Sequence, residues 1–305
     1  MSIDVPMVEA SDAVSTAGDG AAEQGDTVGA AELPLTLIEA SGGWQPINAR
    51  ELWDFRELLF FLTWRDVKVR YKQTLLGAAW AVLQPAMMMV VFTVFFKKMA
   101  NLSSGDLPYP VFAYLGLVPW TFFATGMANA GNSVVGSERL ITKIYFPRLA
   151  IPFAAVGAAV VDFLIAFALL IVLMLIYGIM PGANMLLMPV VFLPIMLTAL
   201  GVGTLLAALN VAYRDFRYVI PFLTQLWMFA TPTVYMQPDA SAGGVMKTLL
   251  ALNPLTGLIA SFRTACVGGS MDWRQWGVAT AASVVVFLLG CLFFRRMERG
   301  FADVI

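Results

Sequence analysis

The stretch LAIPFAAVGAAVVDFLIAFALLIVLMLIY, residues 149–177, decides the fold of this chain. Its 29 residues include one charged side chain, Asp162. An α-helix rises about 1.5 Å per residue, so roughly 20 apolar residues are enough to cross the hydrocarbon core of a bilayer. Because backbone polar groups inside lipid must be satisfied within the chain, we predict that this stretch is a transmembrane helix.

Comparable apolar runs occur along most of the chain. Of the 305 residues, 59% are hydrophobic and 13% are charged, whereas soluble domains carry about 25% charged residues. This composition excludes a soluble enzyme and predicts an all-α integral membrane protein. We place six transmembrane helices, at 75–96, 109–130, 149–177, 185–210, 218–236 and 275–294.

The N-terminal segment differs from the rest of the chain in charge. Residues 1–49 contain eight acidic residues and no Lys or Arg, and they are rich in Ala, Gly and Ser. This composition is typical of a disordered acidic tail, and it lacks the basic start and apolar centre of a signal peptide. We therefore predict a tail at residues 1–49 and a membrane domain at residues 50–305, which carries 19 basic and 12 acidic residues.

An amphipathic helix is predicted just before the first span. In residues 52–62, five apolar side chains share one helical arc and two acidic side chains lie opposite. This pattern favours a helix that lies in the membrane interface; a short cytoplasmic helix packed on protein is the alternative. The apolar arc comprises Leu52, Phe55, Leu58, Leu59 and Leu62, and the acidic residues are Asp54 and Glu57.

The distribution of Lys and Arg predicts the orientation, because cytoplasmic loops carry an excess of basic residues. With six spans, the N-terminal segment, the loops after the second and fourth spans and the C-terminus together hold 14 of the 19 basic residues. Both termini are therefore predicted to be cytoplasmic. The apolar stretch 245–267 is interrupted by Asn253 and Pro254. A seventh span there would place the C-terminal arginine cluster outside, so we interpret this stretch as a re-entrant helical hairpin before the last span.

Several kinds of catalytic site are excluded by residue content. The chain has no histidine and two cysteines, Cys266 and Cys291, which are far apart. A zinc site of the usual kind, a Ser-His-Asp triad and a disulfide framework are therefore excluded. No G-x-x-x-x-G-K-[ST] sequence occurs, so energy for transport would have to come from another polypeptide.

Two classes of protein other than a transporter remain to be weighed. A membrane glycosyltransferase or polymerase needs acidic or His residues clustered on a large hydrophilic loop, and no loop here exceeds about 35 residues. A passive membrane scaffold would have no partner ATPase, which distinguishes it from a permease.

Asp162 is the one ionisable residue deep within a predicted span. A charge at the bilayer centre costs roughly 2.5–3.5 kcal/mol even on lenient scales, so its side chain should face protein or water. It either pairs with a buried polar group or takes part in a proton relay. We favour pairing, because the spans offer no nearby second carboxylate or histidine.

The loop GNSVVGSERLITKIYFP, residues 131–147, has a helical, two-faced pattern. Arg139 and Lys143 are four residues apart and share one face, while Leu140 and Ile144 share another. This predicts a short amphipathic helix on the cytoplasmic side. It either receives force from a partner protein or only anchors the loop, and periodicity does not separate the two.

Five segments carry a family resemblance. They are RDVKVRYKQTLLGAAW (Arg65 to Trp80), residues 132–147, ALNVAYRDFR at 208–217, TPTVY at 231–235 and LNPLTGLI at 252–259. In this order they resemble the ABC-2-type permeases that export bacterial polysaccharides such as O-antigen, capsule and teichoic-acid chains. Each segment alone is weak, but the five together cover about residues 50–305 and are specific to that family.

The resemblance implies a transport system of several parts. This chain would have six spans and form a homodimer in the cytoplasmic (inner) membrane. Two copies of a separate ABC ATPase subunit would bind ATP and Mg. The cargo would be a polyprenyl-diphosphate-linked glycan, with a drug or lipid as the alternative. We expect this chain itself to bind membrane lipids but no cofactor, metal or nucleic acid.

The resemblance also assigns roles to particular residues. The helix at 132–146 would be the coupling helix that docks on the ATPase, through Glu138, Arg139 and Lys143. The stretch 245–267, with Asn253 and Pro254, would form a gate hairpin near the outer face.

Four aromatic residues are candidates for the glycan path: Trp80, Trp120, Phe122 and Phe123. The C–H faces of sugars lie flat on aromatic rings, so a sugar chain can slide over them. The alternative is an aromatic belt at the membrane interface. Phe122 and Phe123 cannot both face a pore, since adjacent helical residues point about 100° apart.

Overall fold

The computed structural model describes residues 49–72, 79–95, 107–141, 143, 146–235 and 253–301. Within these ranges the chain forms helices joined by turns, with no strand. Residues 1–48 of the predicted acidic tail lie outside the described residues. The α-helices are α1 (Ala49–Asp54), α2 (Arg56–Lys72), α3 (Ala79–Phe92), α4 (Tyr109–Ser133), α5 (Glu138–Ile141), α6 (Ala150–Ile176), α7 (Met188–Ala212), α8 (Phe216–Phe229), α9 (Pro254–Val267) and α10 (Trp273–Met297).

Four of the described helices are long and apolar enough to cross a membrane. They are α4, α6, α7 and α10. The apolar segment of α7 includes the 3-10 turn before it and covers Ala183–Ala212. They coincide, within a few residues at each end, with the spans predicted at 109–130, 149–177, 185–210 and 275–294. The prediction of an all-helical protein with several membrane-spanning helices is therefore confirmed.

The other two predicted spans are shorter than expected. Helix α3 covers 14 residues and is followed by a wider helical turn up to Phe95, whereas 75–96 was predicted. Helix α8 also covers 14 residues, although the prediction ran to residue 236. It ends early because Pro232 lacks a backbone N–H and disfavours helical geometry at the preceding residue.

Helix α4 forms the centre of the bundle. In its most apolar part 78% of the residues are buried, against 28% in α6 and in α10. It packs against both α6 and α7, and α7 in turn packs along α10. Helices α6 and α10 therefore leave large apolar faces for lipid, while α4 is enclosed by protein.

Small residues bring α7 and α10 into close contact. A Cβ atom on Gly290 would lie 2.0 Å from the carbonyl oxygen of Gly201. Beside this contact, the hydroxyl of Thr198 donates a hydrogen bond to that of Ser283 at 2.9 Å. Small residues and hydroxyl pairs are typical of packed helices in membranes, where apolar burial alone gives little drive to associate.

Helix α2 runs along α6 and points in the same direction. Near its middle, Thr63 lies against Gly157, where a Cβ atom would be 3.1 Å from the Thr63 hydroxyl. Near its end, Arg70 reaches Asp162. The chain segment before the first long span is thus part of the bundle.

The apolar arc predicted on this segment faces protein. Leu62 is buried, and the other four members are half-buried against a cluster that includes Phe146 and Leu149. The opposite face exposes four large rings: Trp53, Phe60, Phe61 and Trp64. Packing on protein therefore matches the alternative interpretation of the arc, and the exposed rings are the groups available to lipid.

The segment predicted as one amphipathic helix at 132–146 is instead broken. Helix α4 continues to Ser133, a 3-10 turn covers Val135–Ser137, and α5 has only four residues. Gly136 in the middle explains the break, since glycine is about 1 kcal/mol less favourable than alanine inside a helix. The two faces remain, because Glu138 and Arg139 are exposed while Ile141 is buried; Thr142, Ile144 and Tyr145 lie outside the described residues.

Candidate functional site

Asp162 lies near the middle of α6 and is held by two side chains from the end of α2. Arg70 forms an ion pair with one carboxylate oxygen, and the Tyr71 hydroxyl donates a hydrogen bond to the other. A carboxylate in a membrane span is expected to face such partners. The geometry therefore favours the pairing interpretation of Asp162 over the proton relay.

The phenol of Tyr71 is suited to its role as a donor. Burial, and then the hydrogen bond to Asp162, raise the pKa of Tyr71 above its ordinary value. A phenol is protonated near pH 7 even at its ordinary pKa of about 10, so the Tyr71 hydroxyl is a donor to the carboxylate at physiological pH.

Sequence reasoning missed Arg70 as the partner. Arg70 is one of the 14 basic residues that we assigned to the cytoplasmic side, in the segment before the first span. The signal available was the presence of a lone acidic residue in a span, which demands a cation somewhere. Nothing in helical periodicity links two residues 92 positions apart.

A cavity of about 300 Å³ lies beside this ion pair and is lined by residues of α2, α3, α4 and α6. Its lining combines four aromatic rings, those of Tyr71, Trp80, Phe122 and Phe163, with the uncharged polar side chains of four further residues. These are Gln84 on α3 and Thr121, Thr125 and Asn129 on α4. The side-chain nitrogen of Asn129 is buried and has no hydrogen-bond partner among the described residues.

The four predicted glycan-path residues fall into two groups. Trp80, which is 53% exposed, and Phe122 line the cavity. Trp120 and Phe123 are buried on another side of α4, where the Phe123 ring lies 5.0 Å from that of Trp227 on α8. Phe122 packs instead against Phe192 of α7, at 4.6 Å between ring centroids.

A second polar site surrounds the turn at residues 231–235. Arg263, on α9, donates hydrogen bonds to the carbonyl oxygens of Pro232, at 3.1 Å, and Thr233. Its guanidinium lies 4.1 Å from the centroid of the Phe112 ring. Arg263 is therefore an internal donor that fixes this turn.

Helix α4 approaches the same turn closely. The Tyr109 hydroxyl donates to the carbonyl oxygen of Val234 at 2.7 Å. At Gly116, a Cβ atom would lie 1.9 Å from the Thr233 carbonyl oxygen and 2.5 Å from a guanidinium nitrogen of Arg263. Only glycine fits there, so the lack of a side chain at residue 116 allows the turn to lie directly against α4.

Asn253 and Pro254, predicted as the break in the gate hairpin, form the start of α9. The Asn253 side chain accepts a hydrogen bond from the backbone N–H of Leu255 at 3.1 Å, and Pro254 occupies the first turn. This is a helix N-cap. Asn253 also accepts from the Trp227 indole at 3.2 Å and donates to the Thr231 hydroxyl at 2.8 Å, which joins α9 to the end of α8. Residues 245–252 lie outside the described residues.

The predicted coupling residues lie on the surface. Glu138, Arg139 and Lys143 are all exposed. Beneath them, Ile141 and Val134 belong to a buried cluster that also contains Leu62 of α2, Val211 of α7 and Phe294 of α10. The arrangement provides a charged surface whose buried side belongs to the same apolar cluster as residues of α2, α7 and α10.

Comparison with known proteins gives a consistent family. Residues 57–267 match the ABC-2 type transporter family. The O-antigen export system permease protein RfbA of Myxococcus xanthus is 31% identical over 257 residues, which are 84% of this chain and 98% of that protein. A protein of the same name from Klebsiella pneumoniae is 26% identical and covers 82% and 95% of the two chains. The polysialic acid transport protein KpsM of Escherichia coli is 24% identical and covers 77% and 92%.

Proposed function

This chain belongs to the ABC-2 type transporter family, and from that membership we propose that it is the membrane subunit of an ATP-driven polysaccharide exporter. The observation that carries the proposal is the similarity over nearly the full length of relatives named for O-antigen export and polysialic acid transport. Those names favour a glycan over a drug or free lipid as cargo. The proposed cargo is a glycan attached to a polyprenyl diphosphate.

The energy would come from a separate ABC ATPase. The chain contains no Gly-Lys dipeptide and therefore no phosphate-binding loop of the P-loop type. Two copies of this chain and two ATPase subunits would form the transporter. ATP and Mg would then be bound by the partner subunits.

The exposed charges at Glu138, Arg139 and Lys143 are the proposed docking surface for the ATPase. The buried cluster beneath this segment supports the proposal, because it connects the segment to α2, α7 and α10. Movement of the docked segment would be passed to these helices through close packing.

We further propose six spans, with both termini on the cytoplasmic side of the inner membrane. The C-terminal turn is bonded to the segment that precedes α6: the Arg148 guanidinium donates to the Glu298 carbonyl oxygen at 2.5 Å, and the Arg148 N–H donates to the Glu298 carboxylate at 3.2 Å. These two basic segments therefore belong to one end of the bundle. The positive-inside rule assigns that end to the cytoplasm.

The contacts of α9 support a re-entrant segment rather than a seventh span. Its last turn meets the segment before α7, where the Gly182 N–H donates to the Cys266 carbonyl oxygen at 3.2 Å. Its arginine bonds the turn that follows α8. The hairpin of residues 245–267 would then enter and leave on the outer side.

The proposal is tested in cells that lack their own O-antigen permease but make the lipid-linked glycan. This protein is expressed in those cells, with or without an ABC ATPase encoded in the genome that encodes the protein, and surface glycan is measured. Surface glycan should appear only when both subunits are present, and an ATPase with its catalytic glutamate replaced should not support export. Export by the chain alone, driven by a proton gradient, would contradict the proposal.

A further inference from the structure

We propose that the cavity beside the Arg70–Asp162 pair binds one uncharged sugar residue of the glycan. The inference rests on the proposed function and adds to it a binding site within a single subunit. It identifies both the chemical class of the ligand and the side chains that would hold it.

The charges around the cavity favour a neutral ligand. Arg70 and Asp162 form an ion pair at its edge, so their charges compensate each other. A diphosphate placed beside them would be attracted by the guanidinium but repelled by the carboxylate. A sugar hydroxyl, in contrast, can donate to the carboxylate and accept from the guanidinium.

The uncharged lining has the composition that a sugar ring requires. The face of an aromatic ring carries partial negative charge, which attracts the C–H groups of a sugar, and the half-exposed Trp80 supplies such a ring. The Gln84 amide and the Thr125 hydroxyl can bond the sugar hydroxyls. The unpartnered Asn129 nitrogen lies in the same wall, and a buried donor without a partner is unfavourable until a ligand or water satisfies it.

The size of the cavity limits the ligand to a small unit of the glycan. Its volume of about 300 Å³ is at the lower end of the roughly 300–1,000 Å³ typical of small-molecule sites. The cavity therefore suits one ring at a time rather than a long segment. Weak binding of one sugar ring is compatible with export, because the glycan must leave the site as it passes through the transporter.

Cysteine protection in the purified transporter tests this proposal. Thr125→Cys places a thiol in the cavity wall, and the two native cysteines are fully buried, so they should contribute little background. The full-length variant, with its ATPase in lipid nanodiscs, is treated with a small methanethiosulfonate reagent. Three samples are compared: no addition, glycan released from its lipid by mild acid, and polyprenyl diphosphate without sugars.

The released glycan should slow modification of Thr125→Cys at least threefold, and polyprenyl diphosphate should not. Leu186→Cys, which is 87% exposed in the turn before α7, is the control and should react at the same rate in all three samples. Protection by polyprenyl diphosphate alone would replace the sugar site with a headgroup site. A thiol that fails to react in the free protein would also overturn the proposal, because a site open to a sugar must admit the smaller reagent.

A second variant links the site to a particular side chain. In the Thr125→Cys background, Gln84→Ala should raise the glycan concentration needed for half-protection about fivefold, the effect of one lost hydrogen bond. Gln275→Ala, in the first turn of α10, is the matched control and should leave that concentration unchanged. An unchanged value for Gln84→Ala would remove this residue, and with it the assigned polar wall, from the site.

Export by the same variants separates this inference from the proposed function. If export depends on this protein but the glycan does not slow modification of Thr125→Cys, the sugar site is contradicted and the exporter proposal stands. Surface glycan that does not depend on the chain would contradict the exporter itself.

Discussion

At the scale of single residues, two arginines do most to fix the polar interior. Arg70 compensates the carboxylate of Asp162, and Arg263 satisfies two backbone carbonyls in a turn without regular hydrogen bonds. Both guanidinium groups are partly removed from solvent, so each gains from partners with defined geometry. Removal of one partner should therefore cost more than a surface substitution would.

We expect Asp162→Asn to lower the free energy of unfolding by about 1–3 kcal/mol, because Arg70 loses its ionic partner in a half-buried position. ATP-driven cycling of assembled transporter should persist, since Asp162 is assigned to pairing. Asp66→Asn is the matched control: its partner Arg65 is 48% exposed, and exposed pairs contribute about 0–1 kcal/mol. Unfolding in detergent and ATPase rate are the measurements. Normal assembly of Asp162→Asn with lost export and an altered pH dependence would instead favour the proton relay.

Gly116→Ala should destabilise the protein by about 1–3 kcal/mol, the usual cost of overpacking. The added Cβ atom would collide with the Thr233 carbonyl oxygen, which is backbone and cannot move aside alone. Gly277→Ala on α10 provides the control, because its Cβ atom would meet nothing within 4 Å. That change should be neutral or slightly stabilising, as alanine favours the helix. Equal stability of the two variants would contradict the close approach of α4 to the turn.

At the scale of the elements, α4 presents two faces with different tasks. One face, with Phe122, Thr125 and Asn129, borders the cavity. Another carries Phe123, which contacts Trp227 of α8, and Trp120, which packs against Phe123. The helical rotation of 100° per residue separates neighbours onto these faces. The four aromatic candidates therefore need not have one common role.

Phe122→Leu should reduce export per molecule, whereas Phe123→Leu should mainly reduce the amount of folded protein. Phe122 borders the cavity proposed to hold sugar, while Phe123 is fully buried against Trp227. Leucine keeps most of the apolar volume, so the stability cost stays near that of a moderate core change. Surface glycan divided by membrane protein level distinguishes the two effects. An equal, mild loss of expression in both variants, with export per molecule unchanged, would mean that both rings serve only packing.

The broken coupling segment is the other element with a specific prediction. Charge reversal at both positions, Glu138→Lys with Arg139→Glu, should abolish co-purification with the ATPase and export, while the protein still inserts. Each single reversal should have a smaller effect, since charges at the edge of an interface contribute modestly. Arg274→Glu, in the first turn of α10, is the control and should retain the ATPase. If the double variant still binds its ATPase and exports, the coupling assignment is wrong.

At the scale of the whole molecule, the orientation in the membrane is the main prediction. Gly300→Cys, in the C-terminal turn, should react with an impermeant maleimide only after spheroplasts are permeabilised. Leu186→Cys, which is 87% exposed in the turn before α7, should react in intact spheroplasts. The two native cysteines are buried and give little background. Labelling of Gly300→Cys from outside would exclude the six-span arrangement with both ends in the cytoplasm.

The sequence by itself determined the class of the molecule and the positions of its long helices. Hydropathy over 20 residues is a local property, and inside lipid the backbone has few alternatives to a helix. For that reason 149–177 could be placed within one residue of α6 at each end. The short elements were less predictable: the end of α8 and the break before α5 depend on single Pro and Gly residues within otherwise helical patterns.

Only the tertiary structure decided which polar residues meet. The partners of Asp162 come from 92 and 91 positions away, and Arg263 reaches a turn 30 residues before it. No periodicity encodes such contacts, because they depend on how α2 lies along α6 and how α9 lies against α4. The same packing leaves a cavity beside an ion pair and decides that Phe122, and not Phe123, lines it. The physical reason is that hydropathy acts along the chain, whereas charge pairing and cavities arise between segments that the chain brings together.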